Sequence, residues 1–458
     1  MKNKTLGIVF GITIWVSLVL SVIHFSSLDL KFYQEKYTSL DVAENIGISS
    51  SELMRATDVL LEYLVGKSDN LNVVATIDGV EQEVFNEKEK HHMIDVQVLF
   101  VKTIWIRNGA IAMGLLSLLL IYLSNKKDSV SVIVNGIKTA SAILGVGFVF
   151  LVTFAVLDFN SFWIFFHKVL FSNDLWLLNP ATDNLILMVP LPFFFSLVSL
   201  ILYRIILGLG FMFTIVYGLE NNGYNHRFLK WFALITMTID HIGHFIFPDL
   251  IELRVVGRLA FPIFAYLFAN TYRFTSNKKR LLIQVSVAAV ITQILLYLAG
   301  ITELVNIFFL FAIVWFALKA YDDKRMWLVV VLAGIAEILT VDYGMYGIFA
   351  IVLFYVYYGN KKAQLSGFAI LTLIYSLLPF LASGIWSSIP TIFAHLFDIY
   401  WVYFIQVLSI ASVGLLWFYQ TEKPIPYATK QLNFIEKYAF YVYYPLHLVI
   451  LGLLRSIL

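Results

Sequence analysis

The chain has 458 residues, 60% hydrophobic and 14% charged, with a mean hydropathy of +0.82. Soluble domains carry about 25% charge, so this composition predicts an all-α polytopic membrane protein and excludes an ordinary soluble enzyme or binding module. A formal charge of +2 with no long basic run argues against nucleic acid as a partner, and the absence of cysteine excludes thiol nucleophiles, disulfides and Cys-ligated zinc.

Leu6 to Phe25 is apolar and long enough to cross a bilayer. Lys2 and Lys4 precede it and no small-residue cleavage site follows, which reads as an uncleaved first span with a cytoplasmic N-terminus. Leu28 to Phe100 is polar. From Asp29 to Asp95 it holds 14 acidic and 6 basic residues, so the positive-inside rule places it on the outer face. Ser49-Ser50-Ser51-Glu52 is a capping box, and Leu53, Ala56, Leu60 and Leu64 form an apolar stripe behind it. Asp78-Gly79 is a hairpin turn signal between two short strands. Together these predict a small α+β extracytoplasmic cap over residues 28–100.

A helix starting near Asn86 is expected to run into a second span, Thr103 to Leu123, with Lys126-Lys127 inside. A third span, Val130 to Val156, leads back out to Leu157–Pro190, whose aromatic residues and Asn179-Pro180 suit an interfacial or re-entrant stretch. A fourth span opens at Pro192. Glu220-Asn221-Asn222-Gly223 then divides residues 1–222 from 223–458. In the second part Lys278-Lys279-Arg280, Lys324-Arg325 and Lys361-Lys362 recur at every second loop, which implies about nine further spans. The last runs from Phe434 to Leu458, and the C-terminus is extracytoplasmic. Ile385–Asp398, with Pro390 and His395, reads as re-entrant. The total is about 13 transmembrane helices.

Two polar constellations interrupt the apolar pattern. On a helix from Asn86, the residues Glu89, His92 and Asp95 share one face. A carboxylate one turn from an imidazole holds it in one tautomer and strengthens it as a base. His167 lies in an aromatic stretch on the same side of the membrane, with Asp174 and Asp183 nearby, and the set suits proton transfer at headgroup level. Asp240-His241 sits inside an apolar span, followed by Arg254 and Arg258 at the start of the next. Ionisable groups at membrane depth are expensive and are functional candidates by default; Glu337, Asp342 and His447 are further examples.

FYQEKY, the Ser-Ser-Glu-Leu-Met helix, LLEYLVG, FNEKEKHHMIDVQVLF and FHKVLFSNDLWLLNPATDNLILMVP resemble the bacterial lipoprotein intramolecular transacylase (Lit) family over residues 1 to about 210. The resemblance implies an enzyme that moves the sn-2 acyl chain of a diacylglyceryl-modified lipoprotein to the α-amino group of its N-terminal cysteine, leaving a lyso-form. Diacylated lipoproteins and membrane lipids would be its partners, in the plasma membrane of a Gram-positive bacterium. No cofactor or metal is implied for this half. His92 would be the general base, with Glu89 or Asp95 orienting it. His167 would be a second proton carrier or an oxyanion stabiliser, and Asn173, Trp176 and Asp183 would position the substrate. No Gly-x-Ser-x-Gly elbow occurs, against a serine lipase mechanism.

LKWFALITMTIDHIGHFIFP, LRVVGRLAFPIFAYLFANTY, DYGMYGIFAIVLF and YVYYPLHLVIL resemble the TraX family over about residues 226 to 458. That family is named for pilin N-acetylation and is similar to transmembrane acyltransferases that use acetyl-CoA. The resemblance implies acetyl-CoA as the donor, His241 as base, Asp240 as its partner, and Arg254, Arg258 and His447 as substrate or cofactor positioners. Fusion to a transacylase makes the lyso-lipoprotein or its N-terminus the implied acceptor. Two other classes fit the composition. A proton-coupled transporter would use Asp240-His241 and Glu337 as a relay but predicts an internal repeat, and a sensor or scaffold would bind partners through the acidic cap.

Overall fold

Helix α1 (Lys2–Ser27) meets α6 (Ser129–Leu157) backbone to backbone. A β-carbon added at Gly7 or Gly11 would land on the carbonyls of Val132 and Gly136, and one at Gly136 on the backbone of Gly7. Small residues four apart permit this approach where lipid supplies no hydrophobic drive between helices. Trp15 seals the contact, its indole donating to Ser141 at 2.8 Å. The computed structural model describes residues 2–124, 128–248, 250–301, 305–382, 405–419 and 430–457. Lys126-Lys127 and Ile385–Asp398 lie outside the described residues. The chain separates into two compact units, Met1–Glu220 and Asn221–Leu458.

In the first unit α1, α5 (Glu87–Ser124), α6 and α9 (Leu191–Glu220) are long and apolar enough to cross a membrane. Trp105, Leu115, Leu123, Val146, Phe150 and Leu157 are exposed on them, as suits helices solvated by lipid rather than water. Between α1 and α5 lie α2 (Leu30–Ser39), α3 (Val42–Ile46), α4 (Ser50–Leu64) and an antiparallel hairpin, β1 (Val74–Ile77) and β2 (Val80–Glu83). Asp78 and Gly79 both take positive φ, +51° and +80°, which turns the hairpin in two residues. Ser49 caps α4 by accepting from the Glu52 N–H at 3.3 Å, and Glu52 reaches on to the Thr76 N–H of β1 at 3.1 Å. Phe193, at the start of α9, is fully buried against Phe32, Tyr33 and Tyr37. That cluster anchors the polar segment onto the long helices. The aromatic stretch after α6 forms α7 (Phe159–Leu170), a loop, and a short α8 (Asn184–Met188).

The second unit contains α10 (His226–Phe245), α11 (Ile251–Gly257), α12 (Ala260–Phe274), α13 (Lys278–Leu298), α14 (Ile307–Asp322), α15 (Met326–Ile338), α16 (Gly344–Val356), α17 (Lys361–Ala382), a 3₁₀ turn (Ile405–Ala411), α18 (Ser412–Trp417) and α19 (Lys430–Ile457). Helix α13 is long and apolar enough to span, and α15, α16 and the second half of α19 are shorter apolar helices. Helix α12 is buried on every side from Ala260 to Asn270, so it is the axis of this unit. Glu337 faces the start of α16 and accepts the Met345 N–H at 2.9 Å. Its carboxylate thereby completes a helix N-terminus. The molecule is all-helical apart from one hairpin among the described residues, and it is a multi-pass membrane protein.

Candidate functional site

The N-terminus of α5 is built by a reciprocal cap. Asn86 Oδ1 accepts the Glu89 N–H at 3.0 Å, and Glu89 Oε2 accepts the Asn86 N–H at 2.7 Å. The other Glu89 oxygen accepts the Leu185 N–H in α8. Glu89 is therefore fully buried with both oxygens committed to backbone, tying α5 to α8. Asp183 adds a second tie. It accepts from the Asn179 N–H at 2.7 Å, Thr182 and Asn86 at 2.9 Å, and the Lys88 ammonium at 3.1 Å. Burial would raise its carboxyl, but these bonds outweigh burial and hold it at about 2.

That scaffold presents His92 to the loop that follows α7. His92 is buried, and its Nδ1 has no hydrogen-bond partner. Its ring meets Phe171 edge-on at 5.3 Å, and His167 meets the same phenylalanine at 5.7 Å. The two imidazoles also interact electrostatically, so the structure brings both histidines to one place. His167 Nδ1 lies 2.8 Å from the Trp163 carbonyl, one turn back in α7. A carbonyl accepts, so Nδ1 carries the proton and Nε2 keeps its lone pair. Burial pushes His167 below the ordinary imidazole value, partly offset by that bond. Trp176 stacks on His167 at 4.9 Å, and Asn173 donates to Asp95 at 2.8 Å.

Seven of the expected first-unit residues thus fall into two groups. His92 and His167 flank Phe171, Trp176 stacks on His167, and Asp95, which acts electrostatically on His92, is held by Asn173. Glu89, together with Asp183, serves the scaffold beneath them. Neither carboxylate on the helix face hydrogen-bonds His92: Glu89 is held by two N–H groups and Asp95 by Asn173. Sequence reading missed Phe171 and Trp163, which sit four residues to either side of His167, and Lys88. That spacing was the available signal for the aromatic pair; nothing local marked Lys88. His91 is exposed, with Nδ1 at 2.6 Å from the Glu87 carbonyl.

In the second unit Asp240 is buried in α10. Arg258 reaches its two oxygens at 2.7 and 2.8 Å, and Arg254 reaches Oδ2 at 2.9 Å and the Asp240 carbonyl at 3.2 Å. Gly257 permits this layer, because a β-carbon there would strike the Asp240 side chain. This corrects the expected pairing of Asp240 with His241. The carboxylate is taken by two guanidiniums, while His241 Nδ1 lies 2.7 Å from Nε2 of His447 in α19. His447 in turn places Nδ1 at 2.9 Å from the Tyr443 carbonyl. A cavity of about 40 Å³ adjoins His241 and is also lined by His244, Asn306, Asp342 and Tyr444.

Residues 8–194 match the family described as lipoprotein intramolecular transacylase Lit, and residues 225–455 match the family described as TraX protein. The solved structure of the membrane integral lipoprotein intramolecular transacylase Lit from Bacillus cereus is 21% identical; the likeness covers 48% of this chain and 96% of that one, with a TM-score of 0.41. A histidine-to-alanine variant of that protein gives 22% identity, coverage of 48% and 94%, and a TM-score of 0.38. An uncharacterized protein of Rickettsia prowazekii (strain Madrid E) is 40% identical over 67 residues, 15% of this chain and 27% of that protein. The chain therefore spans about a quarter of the length of that curated relative. The Lit match shares no residue with the second match, and through residues 225–455, half its length, the chain belongs to the TraX protein family.

Proposed function

We propose that the first unit is an acyltransferase that moves the sn-2 acyl chain of a diacylglyceryl-modified lipoprotein onto the α-amino group of its N-terminal cysteine. One observation carries this reading: two buried imidazoles flank Phe171, one with a bare Nε2 and the other with an unpartnered Nδ1, in the region that matches the Lit family. An α-ammonium has a pKa of about 8, so a base must take its proton before it attacks. Nitrogen then bonds to the ester carbonyl carbon, the bond from that carbon to the sn-2 oxygen breaks, and the oxygen leaves with a proton. The first imidazole receives the proton lost by nitrogen and passes it to the bare nitrogen of the second, which delivers it to the oxygen.

His92 is the base in this scheme and His167, fixed with Nδ1–H toward Trp163, is the second carrier. Amine and ester belong to one molecule, so orientation supplies much of the rate; such reactions reach effective molarities of about 10⁵ M or more. Asp95 and Asn173, joined by a hydrogen bond, are assigned the positioning of the substrate.

The second unit, on this reading, transfers acetyl from acetyl-CoA to the lyso-lipoprotein or to a lipoprotein N-terminus. What supports it is the TraX match and the cluster of His241, His447, Asp240, Arg254 and Arg258, in which Asp240 and His447 are buried. Mass spectrometry of lipoprotein N-terminal peptides tests both steps in cells producing the wild type, His92→Ala or His241→Ala. His92→Ala should leave the N-terminus unacylated. An acetyl mark that persists in His241→Ala would remove the second activity from this chain.

A further inference from the structure

His241 has two nitrogens, and its neighbours decide which one can accept a proton. His447 Nδ1 faces the Tyr443 carbonyl at 2.9 Å. A carbonyl cannot donate, so that nitrogen carries hydrogen, and in the neutral ring Nε2 is a bare acceptor. His241 Nδ1 lies 2.7 Å from that acceptor. Two bare nitrogens do not bond, so His241 Nδ1 must carry hydrogen as well. Its Nε2 is left as the basic atom. Asp240 does not compete for this role, because Arg254 and Arg258 surround it.

The relay is itself held in place. Tyr443 stacks flat on His447, with ring centroids 4.9 Å apart and planes 9° apart, and the Tyr443 hydroxyl lies 2.7 Å from Thr238 Oγ1, one turn before His241. Helix α19 therefore grips α10 at two levels of the same face. We propose that His447 is a positioning residue for His241: it fixes the Nδ1–H tautomer, so any proton His241 takes from a bound hydroxyl or ammonium is received at Nε2. Hydrogen bonding to the far nitrogen is the general means by which a working imidazole is oriented. The inference concerns the site to which acetyl transfer is assigned above, yet its first test needs no turnover.

The test uses the full chain labelled with ¹⁵N-histidine in lipid, with His241 assigned by the signals lost in His241→Asn. Nitrogen spectra should show His241 protonated at Nδ1 and bare at Nε2. His447→Phe keeps a flat ring on Tyr443 but offers no acceptor, and should release that tautomer. His447→Gln retains an acceptor oxygen near the Nε2 position and should restore it. With acetyl-CoA and a synthetic lyso-form lipopeptide, His447→Phe should lower kcat on the order of 10²-fold with KM little changed, and His447→Gln should stay within about tenfold of wild type. A His241 protonated at Nε2 in the wild type, a doubly protonated His447, or a Gln variant as impaired as Phe would overturn the inference. A wild type with the expected tautomer but no acetyl transfer would instead overturn the acetyltransferase reading and leave the tautomer assignment standing.

Discussion

Asn173 donates its side-chain amide to Asp95 at 2.8 Å, joining residues 78 positions apart in the chain. The bond locks the loop after α7 onto the first turns of α5, beside both imidazoles. Asp95→Ala and Asn173→Ala should then lower acyl transfer by similar factors, and the double variant little further. Residues that share one bond show coupling of about 0.5–3 kcal/mol. A double-mutant cycle on acyl transfer measures it, and additive losses would mean the two act separately.

His92 and His167 are assigned the proton transfers. Replacing either by alanine should cost about 10²- to 10⁴-fold in acyl transfer, with circular dichroism unchanged. The two losses together should fall short of their product.

The pH profile follows from His167. Burial places it below the ordinary imidazole value, so the neutral ring persists when pH falls through about 6.5. Beyond the fall set by the substrate's own α-ammonium at about pH 8, activity that needs neutral His167 should lose nothing further through that range and fall again only at lower pH. A second fall at about pH 6.5 would show that a different imidazole controls the rate.

Asp183 controls stability rather than chemistry. Its carboxyl sits at about 2, below the usual 3.8. The stabilisation it provides is present above the unfolded value and is lost as pH falls from there through about 2. Asp183→Asn should lower the melting temperature at pH 7 and narrow the gap to wild type as the medium is acidified toward pH 3. Thermal unfolding at several pH values reads this directly.

In the second unit Arg258→Met should be more damaging than Arg258→Met combined with Asp240→Asn. Removing one partner leaves a buried carboxylate short of counter-charge, which costs about 3–5 kcal/mol. Removing the charge as well relieves much of that. Folded yield and melting temperature of the two variants, compared with wild type, give the answer.

How much of this could be read from residues alone differs by level. The capping box at Ser49, the Asp78-Gly79 turn and the continuous helix from Asn86 into the second span depend on local sequence, and all were visible there. Histidine and carboxylate beside two apolar runs marked the segments of His92 and His167 as candidates on one membrane face, but that the two rings meet at Phe171 was not legible there. The fate of each carboxylate was not. Glu89, His92 and Asp95 share a helix face, but whether a carboxylate serves the imidazole depends on who else competes for it. The competitors, the Leu185 N–H and Asn173, arrive from 96 and 78 residues away. Asp240 failed as a partner for the same reason: adjacency in sequence suggested His241, while Arg254 and Arg258 one helix later claimed the oxygens. Tyr343 at φ +62°, stacked on Phe261 at 3.8 Å, is another feature that no local pattern announced.

The bare backbone contact between α1 and α6 has a consequence for biogenesis. The glycines at 7 and 11 emerge from the ribosome first, yet the glycine that receives them is made some 125 residues later. During that interval the leading helix must wait with its groove unfilled while the whole acidic segment is made. Unit assembly is thereby timed to follow synthesis of that segment, and a bulkier residue at position 136 should strand an inserted but unassembled chain.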